Sequence, residues 1–151
     1  MEIRPYREQD WPRLCEIHDQ ARRDELRAAS LNDAFVPLAI AAERENLFGY
    51  ELQVVELNGA VAGFVAYSAD EIAWLYVDPA CYRRGIGKAL VAVAKQATGG
   101  PISIEVLAGN ISALRMYQAC GFFESGMHHG RMPGNDTFEV AVHLLEYAGH
   151  A

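Results

Sequence analysis

Between residues 71 and 98 the chain runs from an alternating apolar segment into a basic, glycine-bearing turn and out into an amphipathic stretch. Few folds accept that succession. Residues 71–77 (EIAWLYV) are rich in β-branched and aromatic types with a period of two, and Asp78-Pro79 interrupts them, which predicts a strand. Residues 81–88 (CYRRGIGK) follow, and Ile86, Ala89, Leu90, Val93 and Ala97 then fall on one face of a 3.6-residue period. A strand feeding a turn that opens a helix is the expectation.

The first turn of a helix leaves backbone N–H groups unpaired at the positive end of the macrodipole, where anions settle. Gly85 and Gly87 carry no Cβ, so a phosphate can approach the main chain there. Arg83, Arg84 and Lys88 add cations to those donors. The ligand this combination suits is a pyrophosphate, although glycines at a strand-helix turn also serve purely structural ends. Two other phosphate loops fit less well. A P-loop requires a hydroxyl residue after its lysine, and Lys88 is followed by Ala89. A dinucleotide fingerprint requires a third glycine where Leu90 stands. Glu105 lies near the spacing of a ribose-binding acid, but no chain remains for a second βαβαβ half.

A second alternating segment, residues 101–107 (PISIEVL), leads into Asn110, Ala113, Tyr117, Gly121 and Phe122 in the spacing N-x-x-A-x-x-x-Y-x-x-x-G-F. This motif, downstream of the phosphate turn, resembles the GCN5-related N-acetyltransferase (GNAT) superfamily, whose members move an acetyl group from acetyl-coenzyme A to an amine. The similarity covers residues 71–122. One departure is Tyr82, where the family turn usually opens with glutamine or arginine. A phenol can donate to phosphate without charge, leaving more of the charge to Arg83, Arg84 and Lys88. The resemblance implies an α/β (α+β) fold with a mixed, mostly antiparallel central sheet flanked by helices, its strands splayed at the cofactor cleft.

Composition bounds the rest. A chain of 151 residues, 51% hydrophobic and 22% charged, suits one globular domain spanning residues 1–151. A formal charge of −7 argues against a nucleic-acid surface. Cys15, Cys81 and Cys120 have neither disulfide-framework nor zinc spacing, no segment reads as a signal peptide or membrane span, and the expected location is the cytoplasm. No metal is expected.

In chain order, residues 2–6 read as a short strand, Asp10 as the cap of a helix with Pro12 in its first turn, and Leu14, Ile17, Ala21 and Leu26 as that helix's inner face. His18 reads as solvated or structural. Residues 22–26 look like a solvated helix end, and residues 30–37 like a loop into a second helix beginning near Pro37. Residues 51–57 and 60–68 around Asn58-Gly59 form the clearest hairpin, with residues 71–77 as the third strand of a meander. Residues 121–126 read as a strand, 128–135 as a loop, 137–145 as the closing strand and 149–151 as a frayed tail. His128 and His129, adjacent on an extended chain, would point to opposite faces and have no partner ligands nearby.

The resemblance assigns roles. Tyr117 would protonate the departing thiolate, a role favoured by the whole motif although a lone aromatic on the Ala113 and Leu114 face would ordinarily be core. Glu71 would be the base for an amine that is otherwise protonated at neutral pH. It reads as sharing a strand face with Ala73, Leu75 and Val77, and the alternative is a solvated carboxylate at the strand edge. The main chain of Leu75, Tyr76 and Val77 would pair with the pantetheine amides and hold the thioester oxygen. Arg83, Arg84, Gly85, Ile86, Gly87 and Lys88 would hold the pyrophosphate, and Asn110 and Ala113 the pantetheine arm. Asp24, Glu25, Asp33 and Phe35 are candidates for the amine acceptor, or a polar connector with one buried aromatic. A covalent route through Cys120 would need an activating histidine that the sequence does not supply. The expected activity is direct acetyl transfer in a ternary complex to a small-molecule or peptide amine. A non-catalytic acyl-coenzyme A sensor is the alternative, and the superfamily includes homodimers.

Overall fold

The computed structural model describes residues 1–149, so the tail reading for residues 150 and 151 lies outside the described residues. Two antiparallel sheets share the chain. The first has the order β1-β2-β3-β4, from Glu2–Pro5, Glu51–Leu57, Ala60–Tyr67 and Ile72–Val77. The second has the order β5-β7-β6, from Ile102–Leu107, Asn135–Tyr147 and Phe123–Met132. They touch through one parallel bridge, Glu71 to Ser103, reinforced by Ser103 N–H donating to the Asp70 carbonyl at 2.9 Å. Beyond that bridge β4 and β5 diverge.

The hairpin forms as expected, because Asn58 and Gly59 both hold positive φ, 54° and 81°. Helix α1 (Trp11–Ala28) buries Leu14 and Ile17 against the first sheet and Leu26 against Leu107, Met132 and Val142 of the second, with Ala21 buried as well and α2 (Leu38–Arg44) beside it. Two readings at this end need correction and a third is narrowed. Asp10 does not cap α1 with its side chain. Its carboxylate accepts from Arg7 N–H at 2.8 Å and pairs with Arg4, tying the helix entry to β1. Of the two readings open for His18 the structural one holds, since it is 3% exposed and packed edge-on to Tyr76 at 4.8 Å. Residues 22–26 are not a frayed end either, since α1 continues to Ala28 and turns Arg22 and Glu25 inward.

Helix α3 (Ile86–Thr98) lies over the sheets with Ile86, Leu90, Val91 and Ala94 buried. Ala97, expected on the inner face, is exposed, because the apolar stripe drifts toward Val91 and Ala94 in the middle turns. Helix α4 (Ile111–Ala119) completes this layer, with Tyr117 inward. The segment read as a loop at 128–135 is part of the β6–β7 hairpin, which turns only at Pro133-Gly134, and β7 is longer than expected at both ends. Glycines 126 and 130 suggested a break, but β6 is an edge strand and tolerates them. His128 and His129 are exposed on it.

A bulge changes the face of β4. Tyr67 pairs with Ile72 and Ala66 with Trp74, so Ala73 is an extra residue and the alternation reverses there. Ile72, Leu75 and Val77 pack toward α3, whereas Trp74 and Tyr76 pack toward α1. Glu71 therefore does not share the face of Leu75 and Val77. It points to the α1 side, where Tyr50 meets it.

Candidate active site

On one edge β4 pairs with β3, and on the other its pairing with β5 stops at the Glu71 bridge. The gap opens into a cavity of about 900 Å³, with Leu75, Tyr76 and Val77 on one wall and Ile104, Glu105 and Val106 on the other. The outer edge of β4 thus keeps its main-chain groups for something other than a strand.

At one end of the cavity lies the basic turn. Arg83 and Gly85 both have positive φ, 65° and 79°, and no side chain caps the first turn of α3. A Cβ on Gly85 would meet open space, and one on Gly87 would lie 3.6 Å from Met116 Cε inside the cavity. Arg83, Arg84 and Lys88 are exposed, whereas the Ile86 side chain enters the core and leaves only its N–H to the turn. Tyr82 lines the same cavity, and its phenol is pushed up to about 12 by burial and by Asp24 and Glu25.

At the centre, Glu25 joins three elements. It pairs with Arg22, accepts from the Tyr76 hydroxyl at 3.3 Å and accepts from Asn110 Nδ2 at 3.0 Å. Asn110 in turn caps α4, its Oδ1 accepting from Ala113 N–H at 3.3 Å. Tyr117 is 4% exposed and packs edge-on to Phe122, and its hydroxyl has no hydrogen-bond partner among the described residues. Burial first, and the negative Glu25 second, hold that phenol protonated well above its ordinary range. Cys120 is less suited to covalent work, because burial raises its thiol and its sulfur lies 3.9 Å from Met116 Sδ.

The far end is built by α1, α2, β4 and the β6–β7 tip. The Tyr50 hydroxyl donates to Glu71 Oε1 at 2.7 Å, and its ring stands edge-on to Trp74 at 5.6 Å. Glu45 faces the same space, its carboxyl raised by burial. His18 also lines it, and burial lowers its pKa, favouring the neutral imidazole. The tip lies over this end. Arg44 donates to the Gly134 carbonyl at 2.7 Å and Asn135 to the Ala34 carbonyl at 2.9 Å.

Of the residues singled out from sequence, Glu71, Leu75, Tyr76, Val77, Arg83, Gly85, Ile86, Gly87, Lys88, Asn110, Ala113, Tyr117, Asp24 and Glu25 all line this one cavity. Arg84 is exposed in the turn beside it. Asp33 and Phe35 do not line it: Asp33 is exposed on a short 3-10 turn, and Phe35 lies beneath the Arg23 guanidinium at 4.0 Å. Arg22, Glu45, Tyr50 and Trp74 were missed. Only the aromatic run at residues 74–76 hinted at Trp74, and nothing local marks Glu45 or Tyr50.

The chain matches the model of the acetyltransferase (GNAT) family over residues 5–122 and belongs to that family. Its fold is similar to ribosomal-protein-alanine N-acetyltransferase from Brucella melitensis, at 24% identity, TM-score 0.73, and coverage of 98% of this chain and 99% of that one. It is also similar to a GCN5-related N-acetyltransferase from Rhodopseudomonas palustris, at 19% identity, TM-score 0.80, and coverage of 97% and 94%. A Bacillus anthracis protein, provisionally described as a streptothricin acetyltransferase and solved in complex with acetyl coenzyme A, matches at 24% identity and TM-score 0.59 over 67% of this chain and 63% of its own. The acetyl donor of the family is acetyl-coenzyme A. A free strand edge, an uncapped helix turn with cations, and a buried phenol without a partner fit its amide-bearing arm, its diphosphate and its thioester. No helix among the described residues is long and apolar enough to cross a membrane.

Proposed function

We propose that this acetyltransferase acts on a primary amine by direct transfer in a ternary complex, working as a single domain in the cytoplasm. The observation that carries the reading is Tyr117, a buried side chain whose hydroxyl makes no hydrogen bond among the described residues and opens on the cavity shared by the free edge of β4 and the basic turn. A phenol that the fold leaves uncommitted at a ligand-sized cavity is free to donate to a bound atom. This favours an enzyme over a sensor, because a sensor has no need of a proton donor there.

Bound acetyl-coenzyme A supplies the activated acetyl group as a thioester. The N–H groups at the start of α3, with Arg83, Arg84 and Lys88, bind diphosphate charge, and the main chain of Leu75 to Val77 binds amides as an added strand would. Asn110 and Ala113 line the arm's path. Glu71, oriented by the Tyr50 hydroxyl, takes a proton from the incoming ammonium. Tyr117 holds the proton that the leaving sulfur needs, and Asp24 and Glu25 add negative charge for the acceptor.

A thiol-release assay with a panel of amines tests this directly. Wild-type protein should release thiol only when an amine is present. Tyr117→Phe should bind acetyl-coenzyme A normally and lose about 10²- to 10⁴-fold in kcat, the usual range for a removed general acid. Full turnover by Tyr117→Phe overturns the assignment.

A further inference from the structure

From its centre to its far end the cavity is lined by three carboxylates, Glu25, Glu45 and Glu71, and one guanidinium, Arg22. Glu25 is paired with Arg22 and bonded by Tyr76 and Asn110, which satisfies it. Glu71 accepts one bond from a neutral phenol. Glu45 has no hydrogen bond or ion pair among the described residues, only the nearby charge of Arg22. Two negative charges are therefore left unbalanced in a partly desolvated space, and they flank Tyr50, which feels both. His18 does not offset them, since burial favours its neutral form. The same cavity is lined by Tyr117, a buried side chain whose hydroxyl has no partner among the described residues, which independently marks it as a place where a ligand sits.

We propose that the acceptor is a small diamine, its reacting nitrogen directed to Glu71 and its second ammonium held by Glu45. This rests on the reading of the cavity as an amine-acetylating site and names the class of amine. A desolvated carboxylate without a bonded cation gains most from an arriving ammonium. Tyr50, Trp74 and Tyr76 offer aromatic surface to the methylenes between the two nitrogens and π-faces to their charges. The hairpin tip, tied to α2 by Arg44 and to the Ala34 carbonyl by Asn135, lines the same cavity from Met132 to Asn135 and leaves less room there for a polypeptide than for a small amine.

The test compares straight-chain α,ω-diamines of three to six carbons with monoamines of the same length, and with a short peptide bearing a free amino terminus. In the wild type, at least one diamine should exceed its matched monoamine roughly ten- to hundredfold in kcat/KM, the value of one charge-assisted bond, with the peptide poorer still. Glu45→Gln should remove that advantage through KM, bringing the diamine's kcat/KM down to that of the matched monoamine. Equal turnover of diamine and monoamine by the wild type overturns the proposal without any variant. So does efficient acetylation of the peptide, or a Glu45→Gln effect that falls alike on both amines. If acetyl-coenzyme A binds and no amine of any kind is acetylated, the parent reading falls, and the proposal with it.

Discussion

Glu25 of α1 and Asn110 at the head of α4 meet across the gap between the two sheets, Oε2 accepting from Nδ2 at 3.0 Å. Because Asn110 Oδ1 is committed to Ala113 N–H, this bond fixes which way the amide faces and leaves its second N–H for a ligand.

Glu25→Gln should therefore weaken acetyl-coenzyme A as well as the acceptor. The neutral amide no longer pairs with Arg22 and can turn a donor toward Asn110, so the affinity for acetyl-coenzyme A should fall about tenfold, as expected for one charge-assisted bond. Calorimetry on the variant checks this. Unchanged affinity would mean that Asn110 holds its orientation unaided.

Gly87→Asp places a carboxylate beside Met116 in the cavity, next to the turn proposed to hold diphosphate. The new Cβ meets only ordinary van der Waals contact, so the domain should keep its fold and its circular dichroism spectrum. Acetyl-coenzyme A binding should be lost. Retained binding in the calorimeter would remove the diphosphate from this turn.

Cys120→Ala should retain turnover, because the thiol is raised by burial and directed at a thioether. An acetylated Cys120 trapped in the absence of amine, seen by intact mass, would argue instead for a two-step route.

Stability should fall in two stages on acidification. His18 is lowered chiefly by burial, so its contribution is complete above about pH 6.5, the ordinary value, and is lost as pH falls below that through the folded value. Asp10 is lowered chiefly by its bond to Arg4, so its contribution is complete above about pH 3.9 and is lost at lower pH still. Urea midpoints measured across this range should show both steps, and His18→Phe should remove the first. Asp10→Ala should cost about 2 kcal/mol at neutral pH, since it removes the two-pronged partner of the half-hidden Arg4 guanidinium and leaves it Glu56 alone among the carboxylates.

The elements proposed to bind the cofactor were legible as structure because each is written locally. Asn58-Gly59 dictates its own turn, the Arg83 to Lys88 run announces an anion site, and Asn110 to Phe122 is a fixed spacing on one helix. The acceptor end was not, for three physical reasons. Glu45 and Tyr50 join the cavity only because α2 folds back beside α1, a contact between distant segments with no periodic signature. The bulge at Ala73 reverses the side-chain alternation, so counting by twos from Leu75 gave Glu71 the wrong face. Gly126 and Gly130 imitate a loop while sitting in an edge strand, which hid the hairpin that carries Met132 to Asn135 over the acceptor end.

The single bridge from Glu71 to Ser103 leaves this protein with an unfinished seam through its middle. Whatever lies along that seam does the work of a missing strand, so occupancy is also reinforcement. At a cofactor concentration a hundredfold above its dissociation constant the gain in unfolding free energy is about 2.7 kcal/mol. The melting temperature should accordingly report how much donor the surroundings hold.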